Sequence, residues 1–463
     1  MNITVKTIKQ HLKDKEILEG NFGLEKEGVR ITADGKLATT PHPEEFGDKT
    51  ENPYITTDFS ESQIEIVTPT FQSIDETYEF LDLIVDIVNS TISSNEYIWT
   101  QSIPPILPKD DEIPIARYNN HQMGISAEKY RQGLAKKYGT KKQMLSGIHY
   151  NFSFKDETIQ KLYQAQDTIT TLKEFKDQLY LKIVRNYMRY KWFLIYITGV
   201  SNVAHKTFKS ETKNLLDKCD NFGGIYSDDA ISIRNSSCGY KNLIELYPRY
   251  DSVENFTTDV KSYIEKGYLS EAKELYTQIR LKPADPINFL TSLKDGIRYI
   301  ELRTLDINPY NKNGISKDEM KFIHLFIIYM LLKEETNYEY YQQEGFRNEE
   351  KVAEKGLSDE LQLKCDGKDI SLKKWANEIL LDLIDINAQL NLGYDGTIKY
   401  IKEKLENKNN TYSMQLINDV KNKGFINMHI DKAAEYKKQS ITQLKQTLNE
   451  NPQAKIYYDE AIE

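Results

Sequence analysis

The stretch "FGLEKEGVR", residues 22–30, places two glutamates on either side of one lysine. Side chains alternate along a strand, so Glu25 and Glu27 would point to the same face there, together with Val29. On a helix the two carboxylates would lie on different faces and would have no particular meaning. Two like charges on one strand face most often mark a solvated edge. They indicate a functional site only if other strands bring further polar side chains to the same face.

The composition indicates a globular protein without a nucleic-acid partner. The chain has 463 residues, a net charge of −9, 39% hydrophobic and 28% charged residues, and no dense block of lysine and arginine. Its three cysteines, Cys219, Cys238 and Cys365, match no metal site, and their odd number fits a reducing compartment. The N-terminus has no apolar signal core, and the longest apolar runs, 192–200 and 322–332, are too short to span a bilayer. We therefore expect a cytoplasmic protein with no membrane partner.

The order of the predicted elements indicates an α+β fold, with strands concentrated before residue 310 and helices throughout. One helix is predicted at 73–92 with Ser73 as its N-cap, and another at 127–139, ending at Gly139. After about residue 315 the apolar periodicity predicts further helices at 316–336, 371–391, 395–406 and 412–424. We expect this C-terminal part to pack on the sheet rather than to form a free domain.

Four predicted strands carry charged or polar side chains on one face. They are the strand of Glu25 and Glu27, the segment 56–69 with Glu65 on the strand and Asp58 just before it, the segment 145–154 with His149 and Asn151, and the segment 296–310 with Glu301 and Arg303. A further strand, running into a loop, is predicted at 230–240. If the four polar strands are neighbours, up to five carboxylates and one imidazole would line a single concave surface.

Such a cluster favours bound divalent cations, because neighbouring carboxylates otherwise raise one another's pKa. Carboxylate oxygens with one imidazole suit Mg²⁺ or Mn²⁺, and the sequence offers no set of thiolates for zinc. Mg²⁺ held by carboxylates usually serves a nucleotide phosphate, so the cluster suggests ATP chemistry. Arg303, two residues from Glu301 on the same face, could stabilise a transferring phosphoryl group through its fork of N–H donors.

Each feature also has an ordinary structural explanation. His149 alone would more often be a packed histidine, and Glu301 with Arg303 could be a cross-strand ion pair. Only their joint occurrence on alternating strands favours a metal site. The sequence has no Walker-type glycine-rich loop and no Gly-x-Ser-x-Gly motif, so neither P-loop nor serine-hydrolase chemistry is expected.

A second group of side chains could hold a small zwitterion. Arginines suit α-carboxylates, and tyrosines supply walls with a polar tip. Three short segments provide both types, with Tyr130 and Arg131, Arg234 and Tyr240, and Tyr276 and Arg280. Because the chain has 31 tyrosines, a structural role is the first explanation for any single one.

The chain resembles bacterial glutamate–cysteine ligase, also called γ-glutamylcysteine synthetase, of the N-terminal-module or proteobacterial type. The resemblance is carried by blocks that follow the order of the family between residues 20 and 310. These blocks are "GLEKEGVRI", "LATTPHP", "NPYITTDFSESQIEIVTP", "QSIPP", "YRQGLAKKYG", "QMLSGIHYNFSF", "SIRNSSCGY" and "YIELRTLDINPY". The helical C-terminal part is compatible with the family but carries weaker signals.

The resemblance implies a glutamine-synthetase-like fold, in which a curved, mainly antiparallel sheet surrounded by helices holds the active site on its concave face. It implies one catalytic unit over 1–463, with a sheet-bearing core in 1–314 and a helical part in 315–463. The implied reaction joins the γ-carboxylate of L-glutamate to the amine of L-cysteine, using ATP and Mg²⁺ and passing through γ-glutamyl phosphate. γ-Glutamylcysteine, ADP and phosphate result, which is the first step of glutathione biosynthesis.

Some relatives continue into an ATP-grasp glutathione synthetase module. Because this chain ends at Glu463, that second activity is expected to be absent. The enzyme is expected to be a monomer or a weak oligomer.

The resemblance also assigns roles to individual residues. The implied metal ligands are Glu25, Glu27, Asp58, Glu65, His149 and Glu301. Arg303 is expected to contact the transferring phosphoryl group, and Arg131 to lie near glutamate. The residues expected near cysteine are Tyr130, Leu134, Gln143, Arg234, Tyr240 and Tyr276. Cys238 departs from the usual pattern and is either a redox-sensitive thiol or, as we favour, a small packing residue.

Three other functions stay open at this point. A sister carboxylate–amine ligase would use the same metals with another acceptor amine. A non-catalytic relative would bind an amino acid or a nucleotide as a sensor, although the retained ligand set argues against this. A helical interaction protein would show neither ATP turnover nor Mg²⁺ dependence.

Overall fold

The computed structural model describes residues 3–119, 121–166 and 170–462. Its strands are β1 (Gly20–Thr32), β2 (Ile55–Thr57), β3 (Gln63–Val67), β4 (Glu96–Ile98), β5 (Ile148–Phe154), β6 (Val203–His205), β7 (Lys218–Cys219), β8 (Gly224–Tyr226), β9 (Ile279–Lys282), β10 (Tyr299–Leu305), β11 (Gln362–Cys365) and β12 (Lys368–Ser371).

Helices precede, separate and follow these strands. They are α1 (Val5–His11), α2 (Ile74–Thr91), α3 (Gln122–Tyr138), α4 (Thr140–Gln143), α5 (Asp156–Gln164), α6 (Leu172–Thr198), α7 (Lys209–Thr212), α8 (Val253–Glu265), α9 (Phe289–Lys294), α10 (Lys317–Leu332), α11 (Tyr341–Lys355), α12 (Leu372–Gln389), α13 (Asp395–Glu406), α14 (Tyr412–Lys423), α15 (Phe425–Glu450) and α16 (Pro452–Ala461).

The long strand β1 lies at the centre of a seven-stranded sheet. The strand order is β2-β3-β1-β5-β10-β9, and β4 pairs with the far end of β1. Every strand pairing in this sheet is antiparallel. The predicted α+β class with a mainly antiparallel sheet is therefore confirmed. Two smaller sheets, β6-β8-β7 and β11-β12, lie apart from it in the topology.

One face of the main sheet is buried under helices. Its side chains include Leu24, Tyr150 and Phe152, each at most 1% exposed. His324 of α10 packs with its ring centroid 5.0 Å from those of Phe22 and Phe152. Helices α2, α6 and α15 also pack along this side of the molecule. The opposite face of the sheet is thereby left for polar side chains.

Local signals place several helices where the sequence predicts them. Ser73 caps α2, with its side chain accepting a hydrogen bond from the N–H of Glu76 at 3.1 Å. Helix α3 ends at Gly139, which has a φ of 85°. The helices predicted after residue 315 are confirmed as α10, α12, α13 and α14, with ends that differ by a few residues.

Other predicted elements were wrong in detail. The segment 56–69 is not one strand but the pair β2 and β3, with Asp58 in the connection between them. The segment 230–240 contains turns rather than a strand. There Ser232 Oγ accepts a hydrogen bond from the Asn235 N–H at 3.3 Å, and Ser236 Oγ donates to the Ile233 carbonyl at 2.7 Å. Such local side-chain bonds compete with strand pairing.

The C-terminal part also contains a hairpin that the sequence analysis did not predict. Strands β11 and β12 are joined at Asp366 and Gly367, which have φ values of 49° and 79°. Two left-handed residues in this position are typical of the tight turns of hairpins. Within the described ranges, no helix combines the length and apolar character that a membrane span requires.

Candidate active site

The open face of the main sheet brings the predicted acidic residues together. The antiparallel register places Glu65 of β3 opposite Glu27 of β1, and His149 of β5 opposite Glu25 of β1. Because alternate residues share a face, both β1 glutamates point to this side. The shared face predicted for Glu25 and Glu27 is therefore confirmed by the strand geometry.

These side chains form a row across β3, β1 and β5, called here the acidic row, and it continues across the next two strands. Glu301 of β10 lies opposite Asn151 of β5 on one side and Arg280 of β9 on the other. The four predicted polar strands are thus neighbours, as the sequence required for a common site. The acidic row begins at β3 and gives way to basic side chains at β9.

His149 lies at the centre of three carboxylates. Its Nδ1 atom is 2.7 Å from Glu25 Oε2 and 3.5 Å from Glu301 Oε1, and its Nε2 atom is 3.4 Å from Glu27 Oε1. Asn151 adds a hydrogen bond from its side-chain amide to Glu25 Oε1 at 3.0 Å. One ligand atom each from Glu25, His149 and Glu301 fall within 4.8 Å of one another.

The carboxylates divide into two electrostatic groups. Burial, together with the charges of Asp58, Glu25 and Glu27, raises the pKa of Glu65 well above its ordinary value. Burial and the Asp58 charge also raise the pKa of Glu27. The cationic side chains of the described residues therefore compensate these two carboxylates only in part.

The other group is compensated by basic neighbours. Burial would raise the pKa of Glu301, but the charges of Arg303 and Lys282 hold it well below its ordinary value. Burial and the Glu301 charge would likewise raise the pKa of Glu25, yet the hydrogen bond and charge of His149 leave it lowered. The ionised form is favoured on this side of the row.

The donor set fits a hard divalent cation. Carboxylate oxygens with a single imidazole are ligands that suit Mg²⁺ and Mn²⁺. Two buried polar atoms of the row, His149 Nε2 and Glu301 Oε2, have no hydrogen-bond partner among the described residues. Buried polar atoms rarely lack a hydrogen bond, so the missing bonds of these two atoms are consistent with a role as metal ligands.

A basic wall adjoins the Glu301 end of the acidic row. Arg303 Nη1 lies 3.3 Å from Glu301 Oε1, and Lys282 Nζ lies 3.4 Å from Glu301 Oε2. Arg234 donates from Nη1 to the Arg303 carbonyl at 2.6 Å. Its guanidinium lies against Gly147, where an added Cβ would be only 2.1 Å from Arg234 Nη2. The glycine of the "LSGIHY" block is therefore required by this close approach.

Aromatic side chains form a pocket beside the row. The hydroxyl oxygens of Tyr240 and Tyr276 are 2.7 Å apart. The ammonium of Lys273 lies 3.9 Å from the ring centroid of Tyr130, within the range of a cation–π contact. Burial raises the pKa of Tyr130 to about 12, so this phenol stays protonated at neutral pH.

Arg131 joins the pocket to the segment between β2 and β3. It donates from Nη2 to the Thr57 carbonyl at 3.1 Å and from Nε to the Asp58 carbonyl. Its guanidinium carbon lies 4.8 Å from the ring centroid of Tyr118. Arg131 therefore holds the backbone next to Asp58 as well as lining the cleft.

Together these groups line one cleft with a volume of about 340 Å³. All fourteen residues to which the resemblance assigns a role line it, and they come from strands, turns, α3 and α4. Further residues that were not predicted also line the cleft, including Asn235, Lys273, Thr277, Gln278 and Lys282. Lys282 could have been found from the alternation of "IRLK", which places Arg280 and Lys282 on one face of a short strand.

Cys238 does not belong to the lining of this cleft. It is 2% exposed, and its Sγ atom lies 3.2 Å from the Thr212 carbonyl oxygen. Burial raises the pKa of its thiol, which disfavours the reactive thiolate. These observations agree with the favoured interpretation of a packing residue.

The chain is similar to known ligases over most of its length. A family model described as glutamate-cysteine ligase matches residues 5–352. The bifunctional glutathione biosynthesis protein of Clostridium perfringens is 42% identical over 438 residues, which cover 93% of this chain and 56% of that protein. The glutamate–cysteine ligase of Clostridium acetobutylicum is 34% identical over 440 residues, covering 87% of this chain and 91% of that protein. The chain thus spans little more than half the length of the bifunctional relatives.

Solved structures agree with the sequence matches. The glutamate–cysteine ligase of Francisella tularensis, solved in complex with AMP, superposes with a TM-score of 0.88 at 26% identity, covering 97% of this chain and 93% of that one. A bifunctional glutathione synthetase from Pasteurella multocida gives a TM-score of 0.81 at 29% identity, covering 94% of this chain and 54% of that one. With the family model spanning most of the chain and the sheet, the row and the cleft in place, this chain belongs to the glutamate–cysteine ligase family.

Proposed function

We propose that this chain joins the γ-carboxylate of L-glutamate to the amine of L-cysteine at the expense of ATP. The products would be γ-glutamylcysteine, ADP and phosphate, with γ-glutamyl phosphate as the intermediate. One observation carries the proposal, namely the row of carboxylates around His149 that adjoins the basic wall of Arg303, Lys282 and Arg234 in one cleft. Such a row suits a cation-bound polyphosphate, and the wall suits the charge of a transferring phosphoryl group.

The proposed metal is Mg²⁺, with Mn²⁺ as a substitute. The residues that would hold it are Glu25, Glu27, Asp58, Glu65, His149 and Glu301. A divalent cation held by these residues would neutralise the negative charge that develops on a transferring phosphoryl group. The raised pKa of Glu65 and Glu27 supports the need for a cation, because the described side chains do not fully compensate these carboxylates. The AMP bound to the Francisella relative supports an adenine nucleotide as ligand.

Arg303 is the proposed catalytic residue. Burial would lower its pKa, but the charges of Glu301, Glu27 and Glu25 hold it above the ordinary value, so its charge is permanent. Its planar fork can donate two parallel hydrogen bonds to a phosphoryl group, which a lysine cannot do. The contact of only one Nη atom with Glu301 leaves other donors for the substrate.

The amino-acid pockets are proposed from the remaining lining residues. Arg131 would bind glutamate, since three carbonyl contacts, to Asp58, Thr57 and Ala127, leave two of its five N–H donors for a carboxylate. The residues proposed near cysteine are Tyr130, Leu134, Gln143, Arg234, Tyr240 and Tyr276. Gln143 supports this use, because its buried Nε2 atom has no partner among the described residues.

We also propose that 1–463 act as one catalytic unit, with the core in 1–314 and the remainder as its support. The packing of α10 and α15 against the strand-bearing part favours this division of roles. A monomer or a weak oligomer would suffice, because every proposed site residue comes from one chain.

The direct test is release of ADP with Mg²⁺, ATP and glutamate, with and without cysteine, while the product is followed by mass. We expect ADP release to depend on cysteine and to accompany the mass of γ-glutamylcysteine. Release that depends on another amine would assign a sister ligase instead. Binding of nucleotide or glutamate without turnover by any amine would overturn the proposal in favour of a sensor. A Glu25→Gln variant, which keeps the size of the side chain but removes its charge, should lose turnover.

A further inference from the structure

Lys26 lies between the two site glutamates in the sequence, but its side chain points to the opposite face of the sheet. It is 4% exposed, and within the described ranges its ammonium group has neither a hydrogen bond nor an ion pair. Buried ammonium groups are nearly always paired, because an uncompensated charge in the interior costs several kcal/mol. The lack of a partner for Lys26 therefore calls for an explanation.

Lys26 reaches into a cavity behind the sheet, between β1, β3, α2 and α15. The cavity is small, with about 20 Å³ of free volume, which is room for about one water molecule or small ion. Two glycines lie beside the lysine, since a Cβ on Gly28 would be 3.5 Å from Nζ and one on Gly314 would be 3.3 Å from Cε. The remaining walls are mainly apolar and include Ile64, Ile66, Val85, Val88, Ile98 and Trp99.

The other polar groups of the cavity are already engaged. Asn89 donates to a serine hydroxyl of α15 at 3.1 Å, and Thr100 Oγ1 lies 2.8 Å from a histidine Nδ1 of the same helix. The second lysine of the lining, Lys312, is paired with Asp86 and, at 3.1 Å, with Asp82. Among the described residues, no carboxylate remains to neutralise Lys26.

We propose that this cavity binds a small monovalent anion, either a halide or a carboxylate of the size of formate, against the ammonium of Lys26. The single unpaired positive charge supplies the attraction, and the apolar walls strengthen it by lowering the local dielectric. One lysine without an arginine fork suits a singly charged ion better than a phosphate group. The site lies on the far side of β1 from the catalytic cleft and does not depend on the ligase reaction.

The test is diffraction from crystals of the full chain soaked in bromide, with anomalous scattering used to locate the ion. We expect a bromide peak in contact with Lys26 Nζ. A second soak with added formate identifies the source, because loss of the peak shows that a short carboxylate competes and its persistence shows preference for a halide. A wild-type map without bromide at Lys26 would overturn the proposal and leave a hydrated lysine.

A solution measurement adds a variant and a matched control. Trp99 lines the cavity, so bromide should quench its fluorescence saturably at constant ionic strength. Lys26→Met should abolish the saturable phase. Lys437→Met should keep it, because that similarly buried lysine already donates to the carbonyls of Ile92, Ser93 and Glu96. Equal quenching in wild type and Lys26→Met would contradict the proposal. If Lys26→Met fails to fold, the presence or absence of bromide at Lys26 in the wild-type map tests the proposal on its own.

Discussion

Glu25 and Glu27 share a strand face without forcing it apart because each has its own partners. Glu25 accepts from Asn151 and contacts His149, whereas Glu27 Oε2 accepts a hydrogen bond from the Gly147 N–H at 2.6 Å. These contacts compensate the charge of Glu27 only in part, since its pKa stays raised by burial and by Asp58. A bound cation would supply what is missing.

Replacing Arg303 with lysine tests the proposed phosphoryl contact. Lysine keeps the charge but loses the planar fork, so we expect kcat to fall about 10²–10³-fold, the usual cost of one donor to a developing anion. The KM for glutamate should change little. Steady-state kinetics give both values, and the urea midpoint serves as the folding control. A kcat near the wild-type value would rule out the assigned role.

Acid sensitivity is predicted for a buried histidine outside the site. Burial lowers the pKa of His324 to about 3, whereas an unfolded histidine titrates near 6.5. Between these values the unfolded chain binds a proton that the folded chain does not, so the free energy of unfolding decreases as the pH falls from about 6.5 towards 3. The slope contributed by one such group is about 1.4 kcal/mol per pH unit.

His324→Gln removes this group while retaining a polar side chain that can reach the Tyr394 hydroxyl, 2.9 Å from Nδ1 in the wild type. Urea unfolding at a series of pH values should give a shallower decrease for the variant than for the wild type. Parallel decreases in the two proteins would show that His324 is not the titrating group.

Among the secondary structure elements, the start of β5 connects the two sides of the cleft. Gly147 donates its N–H to Glu27, and its missing side chain gives Arg234 a surface to pack on. We expect Gly147→Ala to displace Arg234 and to lower kcat/KM at least tenfold, with a smaller effect on the urea midpoint. Circular dichroism and kinetics on the same preparation separate the two effects.

Gly133→Ala is the matched control for this substitution. Gly133 lies in α3 with nothing within 4 Å of an added Cβ. Alanine there should retain activity and stabilise the helix by about 0.5–1 kcal/mol. Equal loss of activity in both variants would mean that the effect does not arise at Arg234.

The sequence predicted the long and periodic elements better than the short ones. β1, β5 and β10 follow from alternation, and α2 follows from its capping serine and apolar stripe. β9 was missed because four residues carry too little periodicity, although its lysine contacts Glu301. The β11-β12 hairpin was missed although "CDGK" contains an Asp-Gly turn signal.

Site residues that belong to a sequence motif could be predicted. Site residues that are brought in only by contacts between distant parts of the chain could not. Each metal-ligand candidate sits in an alternating or block motif, so the sequence alone locates it. The pairing of Arg234 with the Arg303 carbonyl joins residues 69 positions apart and leaves no local pattern. The same is true of Lys273 over the ring of Tyr130.

In the molecule as a whole, the main sheet separates two environments. Helices pack on one face, while the other carries charges that the described residues do not fully balance. Metal binding should therefore stabilise the entire fold and not only the reaction. Because a ligand that binds the folded state alone raises its stability, we expect Mg²⁺ to raise the thermal midpoint.

The shift should be smaller in Glu65→Gln, which removes one proposed ligand and its unfavourable charge. Differential scanning fluorimetry with Mg²⁺ or with EDTA measures both effects without any turnover. Asp34→Asn is the matched control, because Asp34 is an exposed turn carboxylate outside the cleft, and its loss should leave the shift unchanged. Absence of a Mg²⁺-dependent shift in the wild type would contradict the metal site.

The most direct test of the ligase reaction follows one oxygen atom. In the proposed sequence, a γ-carboxylate oxygen of glutamate attacks the γ-phosphorus of ATP, and the cysteine amine later displaces phosphate that carries this oxygen. Glutamate labelled with ¹⁸O in its γ-carboxylate should therefore yield phosphate with one ¹⁸O atom and γ-glutamylcysteine with the other, as read by mass spectrometry. Release of unlabelled phosphate in the presence of cysteine would contradict the acyl phosphate and the reaction proposed for this chain.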